Sequence, residues 1–246
     1  MRKFFTDSIN LDKSYIISDD KNRADAKHII KSLRMNIGDR LILSSPDGYD
    51  YTCEIKSLDM GNVFLDVIGK QKNDTEPKTH IHLFQCMTKG SKFEFIIQKA
   101  VELGVSEITP VISEFTISRP KDDSQNKKIK RAQKIMEEAA KQSNRGIIPK
   151  INDFIAFKKS FDVSKKSSDI LIFYENATSS IKSMNLKKGA AYSIYIGSEG
   201  GFSEDEINFA KQMYNAKILS LGKRILRTET ASIAALSALY FALDEF

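Results

Sequence analysis

AYSIYIGSEGGFSEDEI, residues 191–207, decides how the second half of the chain reads. A near-continuous apolar strand ends at Ile196. Gly197, Gly200 and Gly201 follow, and a helix opens after Ser203. Ser203 and Glu206 stand at capping-box spacing. Glycines let a backbone take positive φ and approach a ligand closely. In an open α/β sheet, small ligands bind where strand ends meet such loops. The stretch is not GxGxxG, and no Lys-Ser/Thr follows as in a phosphate-binding P-loop. Taken alone, it also reads as a tight strand-to-helix turn with no ligand.

A second loop of the same kind follows. AKILSLG (216–222) reads as a strand, and Lys223, Arg224 and Arg227 precede Thr228-Glu229-Thr230 and a helix to Leu243. Thr228 or Thr230 suits an N-cap, and Glu229 suits the positive end of the helix dipole. Three cations at a helix N-terminus do not suit that dipole, which points to phosphate or a buried carboxylate as their partner. Upstream, IHLFQCMT (81–88), EITPVIS (107–113) and DILIFYE (169–175) read as strands. Helices are expected over 93–103, 125–142 and 204–214. Alternating strands and helices predict a mostly parallel sheet covered on both faces. The last helix is apolar on nearly all sides, which predicts burial in the core or against a partner subunit.

The first seventy residues have a different rhythm. Strands are expected at 15–18, 39–45, 49–55 and 62–69, with turns at Pro46-Asp47-Gly48, Asp59 and Gly61-Asn62. One helix is expected from Asn22 to Leu33, with Asn22 as N-cap. These elements predict a small β-barrel-like domain over 1–70. A polar linker is expected at 71–79 and an α/β domain at 80–246.

The chain has 246 residues and a net charge of +6. Residues 1–70 carry 11 basic and 11 acidic side chains, whereas 119–150 carry 10 and 4. Such a band attracts RNA or another polyanion, or else forms a solvated helix face. No apolar run approaches the roughly 18 residues of a membrane helix, and the N-terminus lacks a signal-peptide apolar region. Cys53 and Cys86 form no CxxC, and His28, His80 and His82 form no metal motif. A reduced, cytoplasmic protein without a bound metal is expected.

The two glycine loops together, Gly197-Ser198-Glu199-Gly200-Gly201-Phe202-Ser203 and Leu221-Gly222-Lys223-Arg224-Ile225-Leu226-Arg227-Thr228-Glu229-Thr230-Ala231, resemble the ribosomal RNA small-subunit methyltransferase E family. These are 16S rRNA uracil-N3 methyltransferases of the SPOUT superfamily. Met1-Arg2-Lys3-Phe4-Phe5, the 28–39 segment around Leu33-Arg34 and Gly38-Asp39, Lys99 to Val105, and Glu138 to Arg145 resemble further motifs of that family in the right order. The family usually has proline where Ser198 stands, which puts the stiffness of the loop in question. The resemblance implies a PUA-like N-terminal barrel and a C-terminal SPOUT α/β domain with a trefoil knot. It implies S-adenosylmethionine as cofactor, rRNA of the small ribosomal subunit as partner, and a homodimer.

It further implies that Phe173, Tyr174, Ile196, Gly197, Gly200, Gly201, Leu221, Gly222, Ile225, Leu226, Thr230 and Ala231 surround the cofactor. Uracil N3 bears a proton that must leave, and a general base is the usual solution. Glu199 and Glu229 are the carboxylates available, and Arg145 or Arg227 is placed to stabilise the uracil anion. Arg34, Lys127, Lys128, Lys130 and Arg131 are candidate phosphate contacts. Asn144 and Arg145 are candidates for the substrate uridine, although Arg145 also suits a helix C-terminus. Two other readings are a non-catalytic RNA-binding or ribosome-assembly protein, and a SPOUT enzyme acting on ribose 2′-OH or another base.

Overall fold

The computed structural model describes Met1–Phe246 except residues 9, 10, 12, 19–22, 121 and 168. The chain forms two compact units. The first comprises Met1–Glu76 with Ala140–Ile148, and the second Pro77–Ala139 with Pro149–Phe246.

In the first unit, β1 (Arg2–Phe5), β2 (Ser14–Ile17), β3 (Arg40–Ser44), β4 (Tyr49–Asp59) and β5 (Asn62–Lys72) form one sheet in the order β1-β3-β4-β5-β2. β1 runs parallel to β3, and the other pairs are antiparallel. Met60 and Gly61, at φ 45° and 85°, make the two-residue turn that joins β4 to β5. Register shifts at Thr52/Cys53 and Ile55/Ser57 mark irregularities of the kind that bend a strand pair. Period-two alternation then buries Leu41, Leu43, Tyr51, Cys53, Ile55, Val63 and Leu65. Ala26 and Ile29 join this core.

The expected helix appears as α1 (Arg23–Lys27) continued by a π-helical turn at His28–Ser32, where the Leu33 N–H donates to His28 O at 2.8 Å. Asn22, the expected N-cap, lies outside the described residues. β5 runs to Lys72, two residues into the stretch read as linker. Residues 144–147 are tied to this unit. The buried Lys3 ammonium, paired with Asp50 at 2.9 Å, donates to the carbonyls of Asn144 and Arg145.

The second unit is a seven-stranded sheet. It is built from β6 (His80–Cys86), β7 (Glu107–Ile112), β8 (Lys150–Ile151), β9 (Ile155–Ala156), β10 (Asp169–Phe173), β11 (Ala191–Ile196) and β12 (Lys217–Leu219). The order is β12-β10-β11-β6-β7-β8, with β9 also on β7, and every pair is parallel. Parallel strands need helical crossovers. α2 (Lys92–Glu102), α3 (Asp122–Gln142), α4 (Phe157–Ser164) and α5 (Glu204–Tyr214) lie between successive strands, and α6 (Thr228–Ala242) follows the last one. On one face, Phe157 and Phe161 of α4 and Ile207 and Ala210 of α5 pack with Phe84, Ile170, Ile172 and Tyr195. α2 and α6 pack on each other, and the Tyr240 hydroxyl donates to Gly104 O at 2.6 Å.

His82 stacks on Phe84 with ring centroids 4.0 Å apart, and its Nε2 lies 2.7 Å from Thr109 Oγ1. Burial lowers its imidazole to about 4, only partly opposed by Glu107. The unfolded imidazole titrates near 6.5. Between that value and about 4, the unfolded chain takes up a proton that the folded chain refuses. Stability therefore falls as pH drops through this window, by up to about 3 kcal/mol. In denaturant titrations at stepped pH, His82→Gln is expected to flatten that acid limb; an unchanged slope refutes it.

Candidate active site

β11 delivers Gly197 at its C-terminal end, and the chain turns back on itself there. The Gly201 N–H donates to Ser198 O at 3.0 Å, and Gly201 takes φ 69°. A Cβ on Gly197 would sit 2.9 Å from Gly201 Cα, and one on Gly201 would sit 2.9 Å from Glu175 Oε1. Gly197 therefore lacks room for a side chain, whereas at Gly201 the Glu175 carboxylate can swing aside and the positive φ is what favours glycine. The buried Ser198 hydroxyl donates to Phe115 O at 3.3 Å, an anchor of a kind proline does not provide. Beyond the turn, the capping box is present: Glu206 N–H donates to Ser203 Oγ and Ser203 N–H to Glu206 Oε2. Glu206 Oε1 also accepts from the Glu114 N–H at 2.9 Å. Burial raises the Glu206 carboxyl above its ordinary range despite these bonds.

The second glycine loop meets the first through one polar cluster. Thr228 Oγ1 donates to Gly197 O at 2.7 Å. Buried Gln85 donates to Thr228 Oγ1 and to Cys86 O, and accepts from the Ser232 hydroxyl at 2.6 Å. α6 starts at Thr228, with Arg227 as N-cap and no side-chain cap. The Thr228 hydroxyl is thus used between loops rather than as a cap. Thr230, the other expected cap, is exposed.

These loops and the end of β10 enclose a cavity of about 480 Å³. All the residues expected around a cofactor line it except Thr230: Phe173, Tyr174, Ile196, Gly197, Gly200, Gly201, Leu221, Gly222, Ile225, Leu226 and Ala231. Thr230 misses because the helix begins two residues earlier than its pattern suggests, which turns this side chain to solvent. Glu199, Arg224, Arg227 and Ser198 also line the wall, as do Lys92, Glu175 and Ser220, which the sequence pattern does not mark. Lys92 opens α2, where the helix dipole disfavours a cation. Its ammonium lies 3.4 Å from Glu199 Oε1 and 3.7 Å from Glu229 Oε2.

The two candidate bases differ. Partial burial opposes ionisation of Glu199, but the Lys89 N–H and the Lys92 ammonium outweigh it and hold the carboxyl below its usual range. Glu229 Oε2 is buried without a hydrogen-bond partner, and so is Thr88 Oγ1. Orphaned buried polar atoms are rare in native proteins and mark strain, a catalytic role, or a water or ion that completes them. Among the described residues no three His, Cys, Asp or Glu side chains converge as a metal site.

The other expected contacts fall elsewhere. Arg145 belongs to the first unit, does not line the cavity and is 3% exposed. Its guanidinium donates to both oxygens of Glu76, at 3.2 and 2.6 Å, since a buried charge must be paired. Asn144 beside it is exposed at φ 58°. Arg34 is exposed at φ 51°. On α3, Lys127 and Lys130 are exposed, Lys128 is half-buried, and Arg131 pairs with Glu94 at 2.7 Å.

A parallel α/β sheet with a glycine-lined cavity at its strand ends belongs here to an RNA methyltransferase. Residues 75–240 match the RNA methyltransferase domain, and residues 22–68 match the RNA methyltransferase PUA domain. More narrowly, the chain belongs to the ribosomal RNA small subunit methyltransferase E family. It is 34% identical over 247 residues to the member from Buchnera aphidicola subsp. Acyrthosiphon pisum (strain APS), covering 100% of this chain and 94% of that one. It is 33% identical over 225 residues to the member from Bacillus subtilis (strain 168), covering 88% and 87%. The crystal structure of the Neisseria gonorrhoeae member bound to S-adenosyl methionine superposes with a TM-score of 0.86 at 29% identity, covering 99% and 98%.

Proposed function

We propose that this chain transfers the methyl group of S-adenosylmethionine to N3 of a specific uridine in 16S rRNA of the small ribosomal subunit. The observation that carries the reading is the Thr228–Gly197 hydrogen bond, which joins the two glycine loops around one cavity. Its volume of about 480 Å³ falls within the roughly 300–1,000 Å³ of small-molecule sites. The glycine cradle and the apolar walls from Phe173, Ile196, Leu221 and Leu226 suit an adenosine-bearing ligand. Bound there, S-adenosylmethionine supplies a methyl group already activated on a sulfonium.

The chain's own residues must then handle the acceptor. Glu229 does not itself line the cavity, but it meets the cavity-lining Lys92 and its buried Oε2 makes no hydrogen bond; it is the base that takes the N3 proton. Lys92 pairs with Glu229 at 3.7 Å and meets the negative charge that develops on the uracil. Glu199 anchors the loop through Lys89 N–H rather than serving as base. Arg224 and Arg227, cavity-lining and without an ion pair among the described residues, are placed to receive the RNA backbone. Arg34, Lys127, Lys130 and Asn144 are the exposed candidates for further RNA contacts.

Exposed Phe241 and Phe246 near the end of α6 support a homodimer. Among the described residues no helix is long and apolar enough to cross a membrane. A ribosomal substrate places the activity in the cytoplasm. Nucleosides of 16S rRNA from a strain lacking this gene are expected to lose 3-methyluridine, restored by the wild-type chain. Retention of 3-methyluridine with loss of a 2′-O-methyl mark overturns the N3 assignment.

A further inference from the structure

The loop after β7, Ser113 to Arg119, holds an aromatic ring against the glycine loop of the cavity that none of the chemistry above uses. Phe115 is 44% exposed and Ile117 is 71% exposed. An exposed apolar side chain on a floppy loop means little, but this loop is heavily fixed. The Thr116 hydroxyl accepts from Ser113 N–H at 3.0 Å, and Thr116 N–H donates to Ser113 O. Glu114 N–H donates to buried Glu206, and Arg119 donates to the carbonyls of Thr116 and Glu114 at 3.1 Å. Phe115 O accepts from Ser198 of the glycine loop.

The ring also explains Gly200. This glycine does not take positive φ, so its backbone conformation alone does not require glycine. A Cβ there would instead sit 2.9 Å from Phe115 Cβ and 3.5 Å from its Cγ. Gly200 lines the cavity, so Phe115 packs against a residue of the cavity wall without lining the cavity itself, and the side chain stays 44% exposed. Evolving a rigid support for a half-exposed ring, at a glycine's expense, is reasonable where a flat partner completes the stack.

We propose that Phe115 is the stacking platform for an unpaired nucleobase of the acceptor RNA at the mouth of the cavity. Every base has a π-face, so a ring binds single-stranded RNA without needing hydrogen-bond readout. The inference rests on the RNA methyltransferase reading of the site. It uses Phe115 for binding rather than for the chemical step.

The test measures binding of a fluorescein-labelled oligo(U) strand by anisotropy, with S-adenosylmethionine affinity measured separately by calorimetry. Phe115→Ala is expected to weaken oligo(U) binding by roughly 5- to 100-fold. Phe115→Trp restores it, and Phe115→Leu stays weak although it is apolar and similar in bulk. S-adenosylmethionine affinity and oligomeric mass stay unchanged in all three. Leucine binding as well as phenylalanine overturns the proposal, as does wild-type strength in the alanine variant. A parallel loss of S-adenosylmethionine affinity assigns the ring to loop support, and a change in mass assigns it to a protein contact; either overturns it. A wild-type chain that binds S-adenosylmethionine but no oligo(U) also overturns the platform and leaves the methyltransferase reading standing. A failure to bind S-adenosylmethionine at all would strike that reading instead.

Discussion

Gly197→Ala is expected to lower S-adenosylmethionine affinity at least 100-fold, about 3 kcal/mol, while the chain stays folded. The added Cβ would fall 2.9 Å from Gly201 Cα and 3.0 Å from Gly201 C, both backbone atoms that cannot rotate away. The whole Ser198–Gly201 turn must shift, and with it the Gly197 carbonyl that accepts from Thr228. That carbonyl joins the two loops, so one methyl group disturbs both walls of the cavity. The sheet beneath is spared, because β11 ends at Ile196. Gly222→Val works differently. Nothing lies within 4 Å of a Cβ there, and the cost comes from φ +111° alone. Its effect on affinity is expected to be the smaller of the two. Calorimetry on both variants, with circular dichroism as the folding control, checks the ranking; equal losses refute the steric account.

Local pattern carried the sheet of the second unit well. β6, β7, β10 and β11 are apolar runs with turn residues at their ends, and Ser203 with Glu206 announced the start of α5 to the residue. β1 escaped notice because RKFF is four residues with two charges, and its partner β3 lies some forty residues away. α4 (FKKSFDVS) offers too few apolar positions to show helical period, since Ser160 and Ser164 share its buried face with Phe157 and Phe161.

The site shows the same division. Residues that line the cavity by being small or apolar were legible in GSEGG and LGKRIL. Those that act through a distant partner were not. Gln85 is a buried amide inside an apolar strand, and that misfit is the one local sign of its place between Gly197, Thr228 and Ser232. Arg145 shows the opposite error. Its position past a helix suits a substrate contact or a dipole-favoured cation, and only the fold brings Glu76, 69 residues upstream, within 2.6 Å.

Glu229→Gln is expected to lower kcat by 100- to 10,000-fold, with little change in the affinity for S-adenosylmethionine. The amide keeps the shape of the side chain at the first turn of α6 but takes no proton. Glu199→Gln is expected to lower kcat far less and to weaken cofactor binding instead. Glu199 is already engaged by the Lys89 N–H and the Lys92 ammonium, and is held below the usual carboxylate range. A group that gives up its proton so readily is a poor acceptor for one. Glu229 is the contrast: its Oε2 has no hydrogen bond to lose when it receives a proton, and Lys92 lies 3.7 Å from it. The two variants therefore separate a base from an anchor. The decisive measurement is single-turnover methyl transfer at a series of pH values. If Glu229 is the base, the rate in Glu229→Gln rises with pH as the uracil ionises unaided, and the gap to wild type narrows. A gap that stays constant with pH removes Glu229 from the proton transfer and leaves it a structural role beside Lys92.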